Sequence, residues 1–165
     1  MRSVLVAVMA LATPLLAHAQ TSQVDHVDIV DKGVYVVTTG DQTPNASTPT
    51  GSIAAVTVAK NVQDTTTIHG QLGSEFGLRY VVVGAPAGAD VPLDIVITYP
   101  MPGLADPSAA KPILESRFTR VKKIGETDYL GYGFENDWEI VPGTWTFEIW
   151  FGGRKLASQA FTVTR

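Results

Sequence analysis

The chain of 165 residues contains no cysteine. This absence excludes disulfide bonds, thiol catalysis and cysteine metal sites, so the fold must be stabilised by packing alone. Hydrophobic residues make up 45% of the sequence and charged residues 17%. That composition is ordinary for a soluble protein, and the length is enough for one domain with one hydrophobic core.

Positive charge and histidine are also scarce. The sequence has 12 Lys and Arg against 16 Asp and Glu, a formal net charge of −4. An acidic chain is a poor candidate for general binding to nucleic acids or anionic membranes, so no nucleic-acid partner is expected. Beyond residue 19 the only histidines are His26 and His69.

A long apolar run occurs only at the N-terminus. Arg2 precedes an apolar stretch from Val4 to Leu16, and Ala17-His18-Ala19 has the small-x-small pattern of a cleavage site. The stretch is too short to span a bilayer, and polar sequence follows it. The pattern predicts a signal peptide over residues 1–19 and an exported domain over residues 20–165. This domain is expected in the periplasm or the extracellular medium, without a transmembrane segment.

Cleavage after Ala19 is directly testable. Mass spectrometry of the protein isolated from its native host should give a chain that begins at Gln20, because signal peptidase removes the segment before it. A soluble cytoplasmic chain that still carries Met1 would contradict the predicted export.

The rest of the chain shows short β-rich segments separated by glycine and proline clusters, with no sustained helical period and no repeat. This pattern predicts an all-β fold, a single immunoglobulin-like antiparallel β-sandwich of about seven or eight strands. The segment from Thr39 to Ser52 is expected to be the longest polar loop. The predicted strands are Val27 to Thr38, Ile53 to Val62, Leu78 to Val83, Val91 to Tyr99, Arg117 to Lys123, Leu130 to Phe134, Thr144 to Phe151 and Lys155 to Val163.

The last two predicted strands form a hairpin around Gly152-Gly153. A two-residue turn would pair Ile149 with Leu156 on the inner face but would place Phe161 on the outer one. A β-bulge between Leu156 and Phe161 is therefore expected to return Phe161 and Val163 to the core. In the strand that precedes the Gly152-Gly153 turn, the predicted buried face consists of alternate large residues, Trp145, Phe147, Ile149 and Phe151.

Glycines alternate with large residues in the segment Leu130-Gly131-Tyr132-Gly133-Phe134. Because the glycines share one face of the strand, an aromatic ring is expected to lie close over their backbone. Trp150 is one candidate for this ring.

Five short motifs resemble those of a known family in their residues, order and spacing. They are Gly33-Val34-Tyr35, Leu72-Gly73-x-x-Phe76-Gly77-x-Arg79-Tyr80, Pro100 with Asp106-Pro107, Trp138-Glu139-Ile140-Val141-Pro142-Gly143-Thr144-Trp145, and Phe161-Thr162-Val163. Together they resemble a bacterial family called the domain of unknown function thirty-eight fifty-nine, over nearly the whole chain after residue 19. The resemblance implies an exported sandwich protein of undefined biochemical role, and it supplies no catalytic residue.

The segment Val141-Pro142-Gly143-Thr144-Trp145 also resembles the Leu-x-Pro-Gly-x-Tyr corner of fibronectin type III domains, with Trp in place of Tyr. There the aromatic residue closes a turn between sheets by packing and by a hydrogen bond back to the chain. The resemblance concerns the fold only.

No motif in the sequence points to catalysis, a cofactor or a metal. A nucleophilic site needs a base within reach of a serine or threonine, and no Gly-x-Ser-x-Gly elbow is present. His26 and Asp28 share a strand face and could ligate a cation with Asp31, but a polar lead-in strand explains them better. The carboxylate pairs Glu135 with Asp137 and Glu139 with Glu148 are interpreted as surface charge. We therefore expect a protein that is not an enzyme and has no cofactor.

Two segments are candidates for binding a partner. The first is a basic run in an acidic protein, which suits an anionic partner but also suits an edge strand protected by charge; its residues are Arg117, Arg120, Lys122 and Lys123. The second is an apolar loop that either forms a recognition tip or closes one end of the sandwich; its residues are Tyr99, Met101 and Leu104.

The sequence favours a non-enzymatic exported module that binds or scaffolds a protein or a glycan at the cell envelope, because sandwiches expose loops and strand edges. One alternative is a small envelope enzyme or enzyme accessory domain that uses a carboxylate, His26 or His69. The other is a structural or stress-protective protein without a ligand.

Overall fold

The structure, a computed structural model, describes residues 22–165, so the predicted signal peptide lies outside the described residues. Within this range no helix is long and apolar enough to cross a membrane. A short 3-10 helix, Asp137–Glu139, precedes β8. The nine strands are β1 (Gln23–Pro44), β2 (Ser52–Asp64), β3 (Thr67–His69), β4 (Glu75–Ala85), β5 (Asp90–Thr98), β6 (Glu115–Lys123), β7 (Thr127–Gly133), β8 (Gly143–Phe151) and β9 (Arg154–Thr164).

The strands form two sheets packed face to face. The first sheet has the order β2-β1-β4-β7 and the second the order β3-β9-β8-β5-β6. All strand pairs are antiparallel except β3 with β9. The predicted all-β sandwich is therefore confirmed. Strand β3 was not predicted, because its three residues are too few to show an alternating pattern.

An aromatic cluster joins the two sheets at the centre of the core. The ring of Phe76 on β4 makes edge-on contacts with the rings of Trp145 and Phe147, each with centroids 5.6 Å apart, and with that of Phe161 at 5.4 Å. Such edge-to-face pairs stabilise a core beyond the area they bury. Trp145, Phe147 and Ile149 are buried as predicted, whereas Phe151 is only partly buried.

The final hairpin contains the expected β-bulge. Ile149 pairs with Ala157 and Trp150 pairs with Lys155, so Leu156 is the extra residue. The predicted partner of Ile149 was thus wrong by one position. The bulge places Phe161 in the core, where it is buried together with Val163.

The corner before β8 is closed by a side chain. The indole N–H of Trp145 donates a hydrogen bond to the carbonyl oxygen of Val141 at 3.0 Å. This is the bond back to the chain that the resemblance to a fibronectin corner implies, made here by tryptophan.

Half of the polar segment from Thr39 to Ser52 is strand, which corrects the prediction of a long loop. β1 pairs with β4 only as far as Tyr35, opposite Glu75, and then continues to Pro44 paired with β2. Residues 36–60 thus form a two-stranded extension that we call the ribbon, with a tip at residues 45–51. The second strand of the ribbon was predicted as Ile53 to Val62. Residues 39–44 of its first strand were missed because threonine, glycine, aspartate and proline dominate them.

The ribbon arches over the open side of the sandwich. This side lies between β7, the last strand of the first sheet, and β6, the last strand of the second. The Arg120 guanidinium on β6 donates a hydrogen bond to the Ala54 carbonyl on the ribbon at 3.5 Å. The ribbon therefore covers edges that would otherwise be open to another chain.

Candidate functional site

Three glycines lie side by side on the outer face of the first sheet. Gly33 on β1 pairs with Gly77 on β4, which pairs with Gly131 on β7. A Cβ atom on Gly77 would overlap the carbonyl oxygen of Leu130, and one on Gly131 would overlap the hydroxyl of Tyr129. The glycine row is thus a trough of bare backbone that other side chains can occupy.

Two tyrosines cross the glycine row in opposite directions. Tyr35 starts on one side and donates a hydrogen bond to Asp31 on the other. Tyr129 runs the opposite way and donates to Glu75 at 2.9 Å, with the two ring centroids 4.8 Å apart. The aromatic ring over the glycines is therefore Tyr129. Trp150 lies on β8 of the other sheet, where its N–H bonds Glu148.

The charged groups around the trough are paired. The Nε of Arg79 lies 3.0 and 3.1 Å from the two carboxylate oxygens of Asp31. This hydrogen bonding lowers the pKa of Asp31. Burial, together with the bond to Asp31, raises the pKa of Tyr35 to about 12. Asp31, Arg79 and Tyr35 therefore form a fixed unit at neutral pH.

Glu75 differs from these groups because it titrates near neutrality. Burial, with a smaller contribution from the charge of Glu135, raises its pKa to about 7, while the hydrogen bond from Tyr129 acts in the opposite direction. A Cβ atom on Gly133 would overlap the Glu75 carboxylate. The second glycine of the Gly131-Tyr132-Gly133 segment thus makes room for a carboxyl group.

We expect Glu75→Gln to remove a pH dependence of stability. The pKa of Glu75 rises from 4.5 to about 7 on folding. The raised pKa stabilises the fold below about pH 4.5, and this contribution is lost as the pH rises to about 7, by at most about 3 kcal/mol. Glutamine mimics the protonated acid, so the variant should be the more stable protein at pH 8.

Urea unfolding at pH 5 and pH 8 measures this difference. Wild type and Glu75→Gln should have similar stability at pH 5 and diverge at pH 8. Equal stability of the two proteins at both pH values would show that Glu75 is ionised throughout and that the assignment is wrong.

A cavity of about 150 Å³ lies beneath the ribbon. Val56 of the ribbon covers it, Glu75 and Tyr129 reach it from the trough, and Phe118 and Arg120 line it from β6. Its volume corresponds to about five water molecules at about 30 Å³ each. It is smaller than sites for drug-sized ligands, which occupy roughly 300–1,000 Å³.

Glu139, at the far wall of this cavity, is fully buried and its carboxylate is fully engaged. It accepts hydrogen bonds from the backbone N–H of Glu135 at 2.7 Å and of Asn136 at 2.6 Å, and from the hydroxyl of Tyr132 at 2.6 Å. A buried carboxylate with this many donors stabilises the turn that leads into the 3-10 helix. Its role is therefore structural.

A larger, open cleft of about 650 Å³ adjoins the cavity. It lies between the tip of the ribbon, the loop of residues 105–113 and the segment of residues 135–138. Its walls combine apolar and polar side chains, among them Pro49, Asp106, Ile113, Glu135, Asn136 and Trp138. Its volume falls within the range of ligand-binding sites.

The family model described as "Domain of unknown function (DUF3859)" matches residues 23–163. The chain belongs to this family. It is also similar to an immunoglobulin-like protein from Pseudomonas aeruginosa, known from a crystal structure at 1.50 Å resolution. The two chains are 27% identical, the alignment covers 90% of this chain and 100% of the other, and the TM-score is 0.57. No curated protein matches.

Two of the five motifs of this DUF3859 protein meet in the trough. Gly33-Val34-Tyr35 supplies one glycine and one tyrosine, and Gly77 and Arg79 come from the second motif. Sequence reasoning missed Tyr129 and Glu75 as their partners. Tyr129 could have been predicted to cover Gly131, because it lies two residues earlier and hence on the same face of the strand.

The basic run of the DUF3859 protein lies on β6, an edge strand. Strand alternation places Arg117 and Lys123 on one face and Arg120 and Lys122 on the other. Three of the four have carboxylate partners: Lys122 with Asp128 at 2.5 Å, Lys123 with Asp90 at 2.9 Å and Arg117 with Glu115 at 3.3 Å. The run is thus divided between two faces and largely neutralised.

The apolar loop is divided as well. Tyr99 is 3% exposed and Leu104 is 0% exposed, whereas Met101 is 76% exposed. The hydroxyl of Tyr99 also shares a hydrogen bond of 2.7 Å with that of Ser116. Tyr99 and Leu104 are therefore part of the core, and only Met101 of this set is at the surface.

The two histidines of residues 22–165 lie apart from the cleft. His26 is 3.3 Å from Asp28 on β1, and His69 lies on β3, an edge strand of the other sheet. Among residues 22–165, no group of three or more His, Asp or Glu side chains is arranged to hold a metal ion.

Proposed function

We propose that this DUF3859 protein is an exported, non-catalytic binding module that takes its ligand in the cleft at the tip of the ribbon and acts at the bacterial cell envelope. The observation that carries the proposal is the cleft itself. It is open, of ligand-binding size, and bounded by three connecting segments at one end of a sandwich, which is where such folds place binding surfaces.

The polar groups near the cleft are already hydrogen-bonded within the protein, which favours binding over catalysis. A nucleophile requires a base in hydrogen-bond reach, and general acid–base chemistry requires a group free to exchange a proton with substrate. Ser116 is buried against Tyr99, and Glu139 accepts hydrogen bonds from four donors. Glu75, whose pKa is raised to about 7 by burial and by the charge of Glu135, is already hydrogen-bonded to the hydroxyl of Tyr129 at 2.9 Å.

A variant that fills the cleft tests the proposal. Ala109 lines the cleft, and an arginine there would occupy its space. Ala87, in the turn between β4 and β5 at the opposite end of the sandwich, is exposed and provides the matched control Ala87→Arg. Each immobilised protein is incubated with envelope extract from the native host, and bound proteins and glycans are identified.

Wild type and Ala87→Arg should capture the same ligand, and Ala109→Arg should lose it. Capture that is equal in all three proteins would remove the cleft from consideration. The pull-down should also include Arg120→Ser with Lys122→Ser at low and high salt. Arg120 also bonds the ribbon, so only loss of capture in both the double variant and high salt, with Ala109→Arg unaffected, would instead assign the ligand to the basic face of β6, since screening weakens exposed charge pairs.

A further inference from the structure

We propose that the ligand of the cleft is an uncharged glycan, recognised by the ring of Trp138 together with the polar side chains of Asp106 and Asn136. This inference rests on the proposed function and names the chemical class of its ligand. Three features of the cleft support it: an aromatic residue with a free N–H, fixed hydrogen-bonding groups, and the sign of its charge.

Trp138 differs from the other two tryptophans in its hydrogen bonding. The indole N–H of Trp145 bonds Val141, and that of Trp150 bonds Glu148. Within the described residues no acceptor lies within hydrogen-bonding distance of the Trp138 N–H. Trp138 is partly buried and packs against the core, which fixes its position at the cleft wall.

An aromatic ring held in this way suits a sugar. The face of the ring is electron-rich and attracts the polarised C–H groups on the apolar face of a pyranose. The free indole N–H can donate to a hydroxyl oxygen at the edge of the same sugar. Trp138 thus offers its indole N–H and the part of its ring that lines the cleft.

The hydrogen-bonding groups opposite are held by a turn. The Asp106 carboxylate accepts bonds from the backbone N–H of Ser108 at 2.8 Å and from its hydroxyl at 2.8 and 3.0 Å. A carboxylate has about four lone-pair sites, so Asp106 retains capacity for sugar hydroxyl donors. The exposed side-chain amide of Asn136 donates one N–H to Glu139 at 3.4 Å and keeps its second N–H for a ligand, on the wall that carries Trp138.

The negative charge of the cleft favours an uncharged glycan over an anionic one. The charged residues that line the cleft are Asp106 and Glu135, both acidic, and no lysine or arginine lines it. An anionic polymer would be repelled, whereas an uncharged glycan carries no such penalty.

The test uses the protein from Gln20 onward on an array of neutral hexose and N-acetylhexosamine oligosaccharides, with the corresponding uronic acid oligosaccharides as the anionic set. Affinity for any bound glycan is then measured by calorimetry. We expect binding to members of the neutral set only. Asp106→Asn should weaken binding at least about tenfold without a change in melting temperature, because the side chain is outside the core.

Trp138→Phe and Trp150→Phe form a matched pair of partly buried tryptophans. Trp138→Phe should weaken glycan binding and remove the change in tryptophan fluorescence on binding, while Trp150→Phe should leave both intact. Absence of neutral glycan binding, or binding that both Asp106→Asn and Trp138→Phe leave unchanged, would overturn the inference. If Ala109→Arg still abolishes capture of a protein from envelope extract, the proposed function stands and its ligand is a protein. If it abolishes nothing, both fail.

Discussion

Trp145→Ala is expected to lower the free energy of unfolding by about 3–5 kcal/mol, against a total of roughly 5–15 kcal/mol for a domain of this kind. The side chain is 0% exposed and its ring contacts Phe76, Tyr99 and Tyr132, with centroids 4.9 to 5.6 Å apart. Truncation leaves a cavity in the centre of the core and also removes the donor that satisfies the Val141 carbonyl.

Urea unfolding measures this loss, and Trp150→Ala is its control. Trp150 lies on the same strand but on the opposite face, partly exposed, with its N–H bonded to Glu148. Its removal should cost clearly less than that of Trp145. A loss below about 1 kcal/mol for Trp145→Ala would place that residue outside the cooperative core.

The second large effect is expected from Gly77→Ala, although it adds only one methyl group. The new Cβ would overlap the carbonyl oxygen of Leu130 and crowd the Cα of Gly131. These are backbone atoms and cannot turn away, so β4 and β7 must separate locally and disturb the bond between Tyr129 and Glu75. We expect a loss of about 3 kcal/mol, the upper end for overpacking by one group.

Gly40→Ala is the matched control for this substitution. Gly40 lies on the ribbon, where a Cβ would meet the Thr57 methyl at 3.5 Å, an ordinary contact. Its substitution should change stability by no more than about 0.5 kcal/mol. Similar melting temperatures for Gly77→Ala and wild type would show that the glycine row is not sterically required.

Much of the sandwich was predictable because its strands bury one face. Alternation located β8 and its buried residues, and the conflict between Ile149 and Phe161 predicted a bulge between Leu156 and Phe161, which the structure places at Leu156. Alternation gives no signal in a strand that buries neither face or is very short. Residues 39–44 of the ribbon are exposed and β3 is three residues long, so both were missed, whereas the second strand of the ribbon was predicted as Ile53 to Val62.

The candidate site was less predictable because it depends on register across strands. Glycine spacing on β7 predicted an aromatic ring over the backbone, but only the pairing of β7 with β4 identifies Glu75 as the acceptor for Tyr129. Trp138 was visible as part of a family motif. Its place in a cleft depends on where the ribbon tip and the loop around Asp106 come to lie, which no local pattern shows.

The position of β9 in its sheet has a consequence for the order of folding. β9 is the last strand of residues 22–165, yet it lies inside the second sheet between β3 and β8 and contributes Phe161 and Val163 to the core. The second sheet therefore cannot close until residue 163 has been synthesised. A chain that emerges N-terminus first, from a ribosome or through a membrane if it is exported as proposed, would lack these core residues until β9 follows.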